Sequence, residues 1–267
     1  MTDVIAKETV FAHRHPRPRR VHPARAVDWL AAGWRLFIGK PIQWALMALV
    51  AVVAMILVSI LIVPLPIIGP MAPPVLWVLF AGGMLSAADR QAHGLRFSFE
   101  NLFDGMRRHP GNLALVGIFY STPLVLMSLL TVLAVTGGLL AGLLGTVLGG
   151  ALQALLSGAM TLISMIVTAW IFVAAFFALM LLALISAPSL VMYRGTSAFD
   201  AMRLSLNASV RNLGATLLFG LMLYTLFVIA VIPAGLGVLV LIPVGAGALR
   251  QAYLDIFGDA PEQAAQP

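Results

Sequence analysis

Three stretches of the chain contain no Asp, Glu, Lys or Arg: Pro41–Ala88, His109–Tyr193 and Asn212–Leu249. They run to 48, 85 and 38 residues, whereas crossing the hydrocarbon core of a bilayer takes about 20 apolar residues. Only 10% of the 267 residues are charged and 61% are hydrophobic, against about a quarter charged in soluble domains. The windows therefore predict an all-α, polytopic transmembrane helical bundle, since helices satisfy every backbone group internally where no water is available.

The first window holds two spans joined by the proline-rich stretch from Pro64-Leu65-Pro66 through Pro73-Pro74, and the third holds two more joined at Pro233-Ala234-Gly235, with Pro243 inside the return helix. The central window fits either two long spans with an insert or four short ones. The two-span reading places helices at about Asn112–Val135 and Met160–Ala187, with the insert Thr136–Ser157 at or partly within the far leaflet. The expectation is about six spans in three hairpins. All 16 Lys and Arg residues lie in the flanks of these windows and none in the three far-side connections. That asymmetry makes the charged side cytoplasmic, with both termini inside and a bacterial inner membrane as the location.

Half of the Lys and Arg residues fall within the first 40 positions. Residues 1–22 read as a disordered basic cytoplasmic tail, residues 23–258 as one integral membrane domain, and residues 259–267 as a short disordered tail. The expected hairpin units are approximately 24–93, 94–194 and 195–257. The net charge of +6 sits beside apolar windows rather than in an aromatic-studded soluble domain. Anionic headgroups on the cytoplasmic side, not nucleic acid, are the expected counter-ions. Cysteine is absent, which removes disulfides, thiolate metal sites and a Cys nucleophile. No cleavable signal is visible, so the first span would direct its own insertion.

A short amphipathic segment precedes each hairpin. Val27, Leu30, Ala31, Trp34, Phe37 and Ile38 follow helical spacing, as do Phe99, Leu102, Phe103 and Met106, and then Phe199, Met202, Leu206 and Val210. Ser197-x-x-Asp200 supplies a capping-box start. Each segment ends in a polar or basic turn: Gly39-Lys40-Pro41, Arg107-Arg108-His109-Pro110 and Arg211-Asn212-Leu213-Gly214. The predicted unit is an in-plane cytoplasmic interfacial helix followed by two spans, used three times, either by common descent or because linkers beside lipid become amphipathic. Candidate lipid or partner contacts are Trp29, Trp34, Arg35, Lys40, Phe99, Phe103, Arg107, Arg108, Phe199, Arg203 and Arg211.

No catalytic, cofactor-binding or metal-binding set emerges. The windows hold no acid or base that would form a proton or ion path. Gln43, Gln153, Thr161, Ser164, Thr168 and Tyr224 read as helix-to-helix hydrogen bonds, with substrate contact as the alternative. His13 and His15 lie in the basic tail and lack a third metal ligand, while His22, His93 and His109 stand apart. Gly138, Gly142, Gly145 and Gly149 recur at intervals of four, three and four residues. They predict a smooth helical face for tight internal packing, or for docking a partner helix or a second copy. Asp89 with Arg90, Arg250 with Asp255, and Asp200 with Arg203 are the expected local ion pairs.

Val21-His22-Pro23-Ala24, Gly33-Trp34-x-Leu36-Phe37 and Pro41 resemble the start of an uncharacterised bacterial family of multi-span inner-membrane proteins. Ala187-Pro188-Ser189-Leu190-Val191, Ser205, Arg211-Asn212 and Tyr253-x-Asp255-Ile256-Phe257 continue that resemblance, which covers roughly residues 21–257. More distantly, the layout is similar to the membrane domain attached to glycerophosphoryl diester phosphodiesterases. Neither resemblance brings catalytic residues, because in the second the chemistry belongs to a separate soluble domain. The functional expectation is a non-enzymatic accessory or scaffold subunit that holds another membrane protein or a second copy and contacts lipid. The alternative is a permease or lipid transporter in which the prolines break helices around a cavity.

Overall fold

The computed structural model describes residues 18–62, 65 and 68–258. Residues 1–17, the connection 63–64 and 66–67, and the tail 259–267 lie outside the described residues, as do the expectations placed on them. The described chain is helical: α1 (Arg25–Gly39), α2 (Pro41–Ile62), α3 (Ile68–Ala92), a 3-10 turn (Phe99–Phe103), α4 (Asp104–Arg108), α5 (Pro110–Gly149), α6 (Ala151–Leu184), α7 (Ala187–Arg194), α8 (Ala198–Arg211), α9 (Leu213–Val231) and α10 (Val238–Phe257). Four stretches are long and apolar enough to cross a membrane: Pro41–Ile62, Met71–Ala92, Leu213–Val231 and Val238–Phe257. The long pair α5 and α6 contains further apolar described stretches at Ser128–Leu144 and Gly158–Thr168.

Three helix pairs, α2/α3, α5/α6 and α9/α10, stand with their charged ends together, and the short elements lie across those ends. The second and third short elements pack on the return helix of the pair before them, and the first packs on that of the last pair. α1 lies along α10, the 3-10 turn and α4 lie on α3, and α8 lies on α6. Glycine makes two of these crossings possible. A Cβ at Gly33 would overlap the Val244 carbonyl of α10, and one at Gly105 would overlap the Leu79 carbonyl of α3. The third crossing uses the small buried residues Ala198, Ala201, Ser205 and Ala208 of α8. Small side chains let helix backbones approach closely, which is how packing is gained where lipid removes the hydrophobic drive.

The outgoing helices share a register counted from their first residues. Trp44, Leu113 and Thr216 stand three positions in, and Met47, Val116 and Phe219 six positions in. All six are buried. At seven positions stand Ala48, Gly117 and Gly220, all small.

Several expectations need correction. Pro73 and Pro74 are not in a connection: α3 begins at Ile68 and runs through both. As the sixth and seventh residues of α3, they lie past the four unpartnered amides of the first turn, so each removes one helical bond that its amide would donate four positions back. α10 likewise continues through Pro243. The insert Thr136–Ser157 is not a separate segment. α5 and α6 extend through it for 40 and 34 residues and turn at Gly150, whose φ of 87° is one that L side chains rarely adopt. The second amphipathic segment is a 3-10 turn followed by a single helical turn rather than one helix.

The short elements divide their residues between an exposed and a buried face. On α1, Val27, Trp34 and Ile38 of the expected stripe are exposed, whereas its Leu30 is buried together with Ala26, Trp29 and Gly33. On α8, Phe199, Leu206 and Val210 are exposed, while the alanine and serine face packs inward. Phe99 and Phe103 are exposed beside the buried Leu102. The buried faces thus combine small residues with a few large ones, Trp29, Leu30 and Leu102.

Candidate functional site

The charged end combines an outward apolar ring with polar braces beneath it. Trp34, Ile38, Phe99, Phe103, Phe199 and Val210 from the three short elements are all exposed, Phe199 at 69%. Cationic side chains are interleaved with them: Arg35, Arg107, Arg108 and Arg203 are exposed. Arg108 faces Asp104 at 3.9 Å. Lys40 sits 5.1 Å over the Phe97 ring, and Arg211 donates to the Pro18 carbonyl at 3.4 Å. An apolar surface edged by guanidinium groups matches the headgroup boundary, where apolar bodies and charged tips are solvated on different sides.

Trp29 departs from the expected contact set. It is 1% exposed, its ring meets Phe219 edge-on at 5.5 Å between centroids, and its Nε1 donates to Asp255 Oδ2 at 2.7 Å. Arg25 donates to the same oxygen from Nε at 2.9 Å, and Gln251 donates to Asp255 Oδ1 at 3.1 Å. Asp255 thus fastens α1 to the end of α10, and its charge and hydrogen bond hold the Arg25 guanidinium above its ordinary value.

Other polar residues pair both across elements and locally. Arg250 of α10 bonds Asp89 of α3 at 2.9 Å. This replaces the expected pairs Asp89 with Arg90 and Arg250 with Asp255: Arg90 instead donates to the Arg96 carbonyl at 3.0 Å. Asp200 bonds Ser197, whose hydroxyl oxygen accepts from the Asp200 amide at 3.2 Å as the capping box requires. Arg194 donates to Tyr253 at 2.7 Å and to the Phe257 carbonyl at 3.2 Å. Tyr193 donates to the Leu85 carbonyl at 3.0 Å, and burial, assisted by Asp89, pushes its hydroxyl well above the ordinary tyrosine value. Ser86 bonds Asp104 at 2.5 Å, tying α4 to α3.

Periodicity gave no sign of one clamp. Asn212, at the α8/α9 corner, accepts from the Val21 amide at 2.8 Å and donates to the Arg19 carbonyl at 2.9 Å. The Arg19 amide donates to the Ile256 carbonyl at 2.8 Å. Residues 19–21 therefore bridge the α8/α9 corner and the C-terminal turn of α10.

The histidines are scattered. His22 Nδ1 accepts from the Ala24 amide at 3.3 Å, and His93 bonds the Asp89 carbonyl at 2.8 Å. His109 lies against Gly195, and His13 and His15 lie outside the described residues. At the other end of the molecule, Gly138 faces Leu162, and Gly142 abuts Gly158 across the α5/α6 hairpin. Gly149 faces open space, and Gly145 and the Gln153 side chain lie outside the described residues. The glycine series is thus split between internal packing and an open tip. Leu139, Leu140, Leu143 and Val147 of α5, and Leu152, Leu155 and Met160 of α6, are exposed around that tip, Val147 at 80%.

Comparison with known protein families, with curated proteins and with solved structures finds no match.

Proposed function

We propose that the chain is a non-enzymatic accessory or scaffold subunit of the bacterial inner membrane, with six spans in three hairpins and both termini cytoplasmic. It grips lipid headgroups with its three short helices and a membrane-protein partner with its central hairpin. The observation that carries this reading is the length of that hairpin. α5 has 40 residues and α6 has 34, which at 1.5 Å per residue is roughly 60 and 50 Å against a hydrocarbon core of about 30 Å. α2, α9 and α10, at 22, 19 and 20 residues, match that core. The excess belongs to the tip, where leucines are exposed on both helices. An apolar surface of that extent outside hydrocarbon requires a protein to cover it.

Lipid contact rests on the outward ring. Its aromatic and aliphatic side chains lie among Arg35, Arg107 and Arg203 at the end from which every charged-side loop emerges.

The test is purification from native membranes into nanodiscs, followed by native mass spectrometry. A second protein at fixed stoichiometry is expected with the wild-type chain. It should be lost when residues 138–149 and 151–162 are deleted, which shortens the two helices to about bilayer length. Recovery of the wild-type chain with nothing but lipid and copies of itself overturns the proposal.

A further inference from the structure

A carboxamide ties the charged end of each outgoing helix to another part of the chain. Gln91 of α3 accepts from Trp44 of α2 at 2.7 Å and donates to the Leu36 carbonyl of α1 at 2.8 Å. Asn112 of α5 accepts at 3.3 Å from the Ala198 amide that opens α8. Asn212, at the start of α9, holds an extended segment where the other two hold helices. It accepts from the Val21 amide and donates to the Arg19 carbonyl, the two bonds that a residue of a neighbouring parallel strand would make. The Arg19 amide fastens the same segment to the Ile256 carbonyl of α10. Val21 packs against the cluster that holds Ala215 and Phe219 of α9 with Ile256 of α10, and Pro23 stands 3.0 Å from where a Gly214 Cβ would be. Residues 19–21 are thus a strap that seats the start of α9 on the end of α10. Were it to leave, the buried Asn212 carboxamide would lose its donor and one of its acceptors, which costs the corner its order.

The bonds that hold the strap use its backbone, so its side chains face outward: Arg19 and Arg20 are exposed. Arg211, also exposed, donates to the Pro18 carbonyl at 3.4 Å. Docking therefore gathers arginines from two ends of the sequence at the residue pair where α9 enters the membrane. The nearby Asp255 is already shared by Arg25, Trp29 and Gln251. Like charges gathered in this way repel one another, and an anion placed among them favours the docked state over the free one. Phosphate oxygens pair well with guanidinium groups, and an anionic headgroup presents phosphate at this depth.

We propose that residues 19–21 are a lipid-read latch: an anionic headgroup held by Arg19, Arg20 and Arg211 keeps the strap docked and, through Asn212, keeps the start of α9 seated. The latch rests on the headgroup contact proposed above and adds a conformational consequence to it. Hydrogen exchange of the full chain tests it in nanodiscs of phosphatidylcholine, with and without phosphatidylglycerol. With phosphatidylglycerol, the amides of Arg19, Val21 and the first turn of α9 should exchange about tenfold more slowly, the scale expected of two basic residues at an anionic surface. Inorganic phosphate added to phosphatidylcholine discs should not reproduce the slowing. The double variant Arg19→Gln with Arg20→Gln should lose the dependence on lipid. Asn212→Ala should speed exchange in the strap and in the first turn of α9 in both discs, while α3 keeps its wild-type protection. Exchange that ignores lipid charge, slowing by inorganic phosphate alone, or slowing that survives in the double variant overturns the latch. So does an Asn212→Ala chain whose α9 stays fully protected. Lipids retained in native mass spectra separate the two readings. A chain that enriches phosphatidylglycerol yet exchanges alike in both discs loses only the latch, whereas one that enriches none loses the headgroup contact and the latch with it.

Discussion

At the scale of single residues, the charged end is held by carboxylates, two of which serve several donors. Asp255 accepts from Trp29, Arg25 and Gln251, while Asp89 takes Arg250 and Asp104 takes Ser86 and Asn101. Removing Asp255 leaves the buried Trp29 N–H without an acceptor, so Asp255→Ala should lower stability by about 2 to 3 kcal/mol. Trp29→Phe removes one bond but keeps most of the ring against Phe219, and should cost about 1 kcal/mol. Thermal unfolding in mild detergent measures both. The double variant should be less destabilised than the sum of the two, because the bond that joins them can be lost only once. Equal and additive losses would mean that the two residues act separately.

At the scale of elements, the existence of the long helices was legible because charge-free length is a direct requirement of the bilayer, but the ends of α3, α5 and α6 were not, since each runs on through residues assigned to a connection or insert. The buried face was not. Periodicity identifies where bulky apolar residues recur, and in a soluble protein those residues face the core. At a membrane boundary the surroundings are also apolar, so Val27, Trp34 and Ile38 face outward, while Leu30 of the same stripe is buried with Trp29, Ala26 and Gly33. Small residues mark only the points of closest backbone approach, as at Gly33, Gly83 and Gly105. Asn212 was hidden for a different reason, since its partners Arg19 and Val21 are nearly 200 positions away in sequence. The small-residue rule also predicts which glycines matter. Gly33→Ala and Gly83→Ala would drive a methyl group into the Val244 and Leu102 carbonyls and should each cost about 2 kcal/mol or more. Gly137→Ala meets no atom within 4 Å and should gain a few tenths of a kcal/mol from helix propensity. Unfolding transitions that rank these three variants differently would count against close backbone crossings as the basis of the packing.

At the scale of the whole molecule, the proposal stands on one orientation: every basic residue on one side and each hairpin turn on the other. The structure offers positions at both ends for testing this. Ser98 and Ser197 precede the second and third short elements, and both are exposed. Gly149 ends α5 beside the Gly150 turn and also faces open space, while Ala72 lies in the first turns of α3. Because the chain has no native cysteine, one introduced thiol reports one position. Ala72→Cys and Gly149→Cys should react with a membrane-impermeant maleimide added to intact cells. Ser98→Cys and Ser197→Cys should react only after permeabilisation. Ser197→Cys weakens the cap of α8, a loss of about 1 kcal/mol, which leaves the fold in place and the label position unchanged. Gly149 is the most informative site. If α5 and α6 stand upright, its thiol lies beyond the outer headgroups and labels as fast as a free thiol. A hairpin lying back within the bilayer would keep it unreactive, and the tip would then be covered by lipid instead of a protein partner. Labelling of Ser98→Cys in intact cells would reverse the orientation itself and, with it, the assignment of the basic ring to the cytoplasmic leaflet.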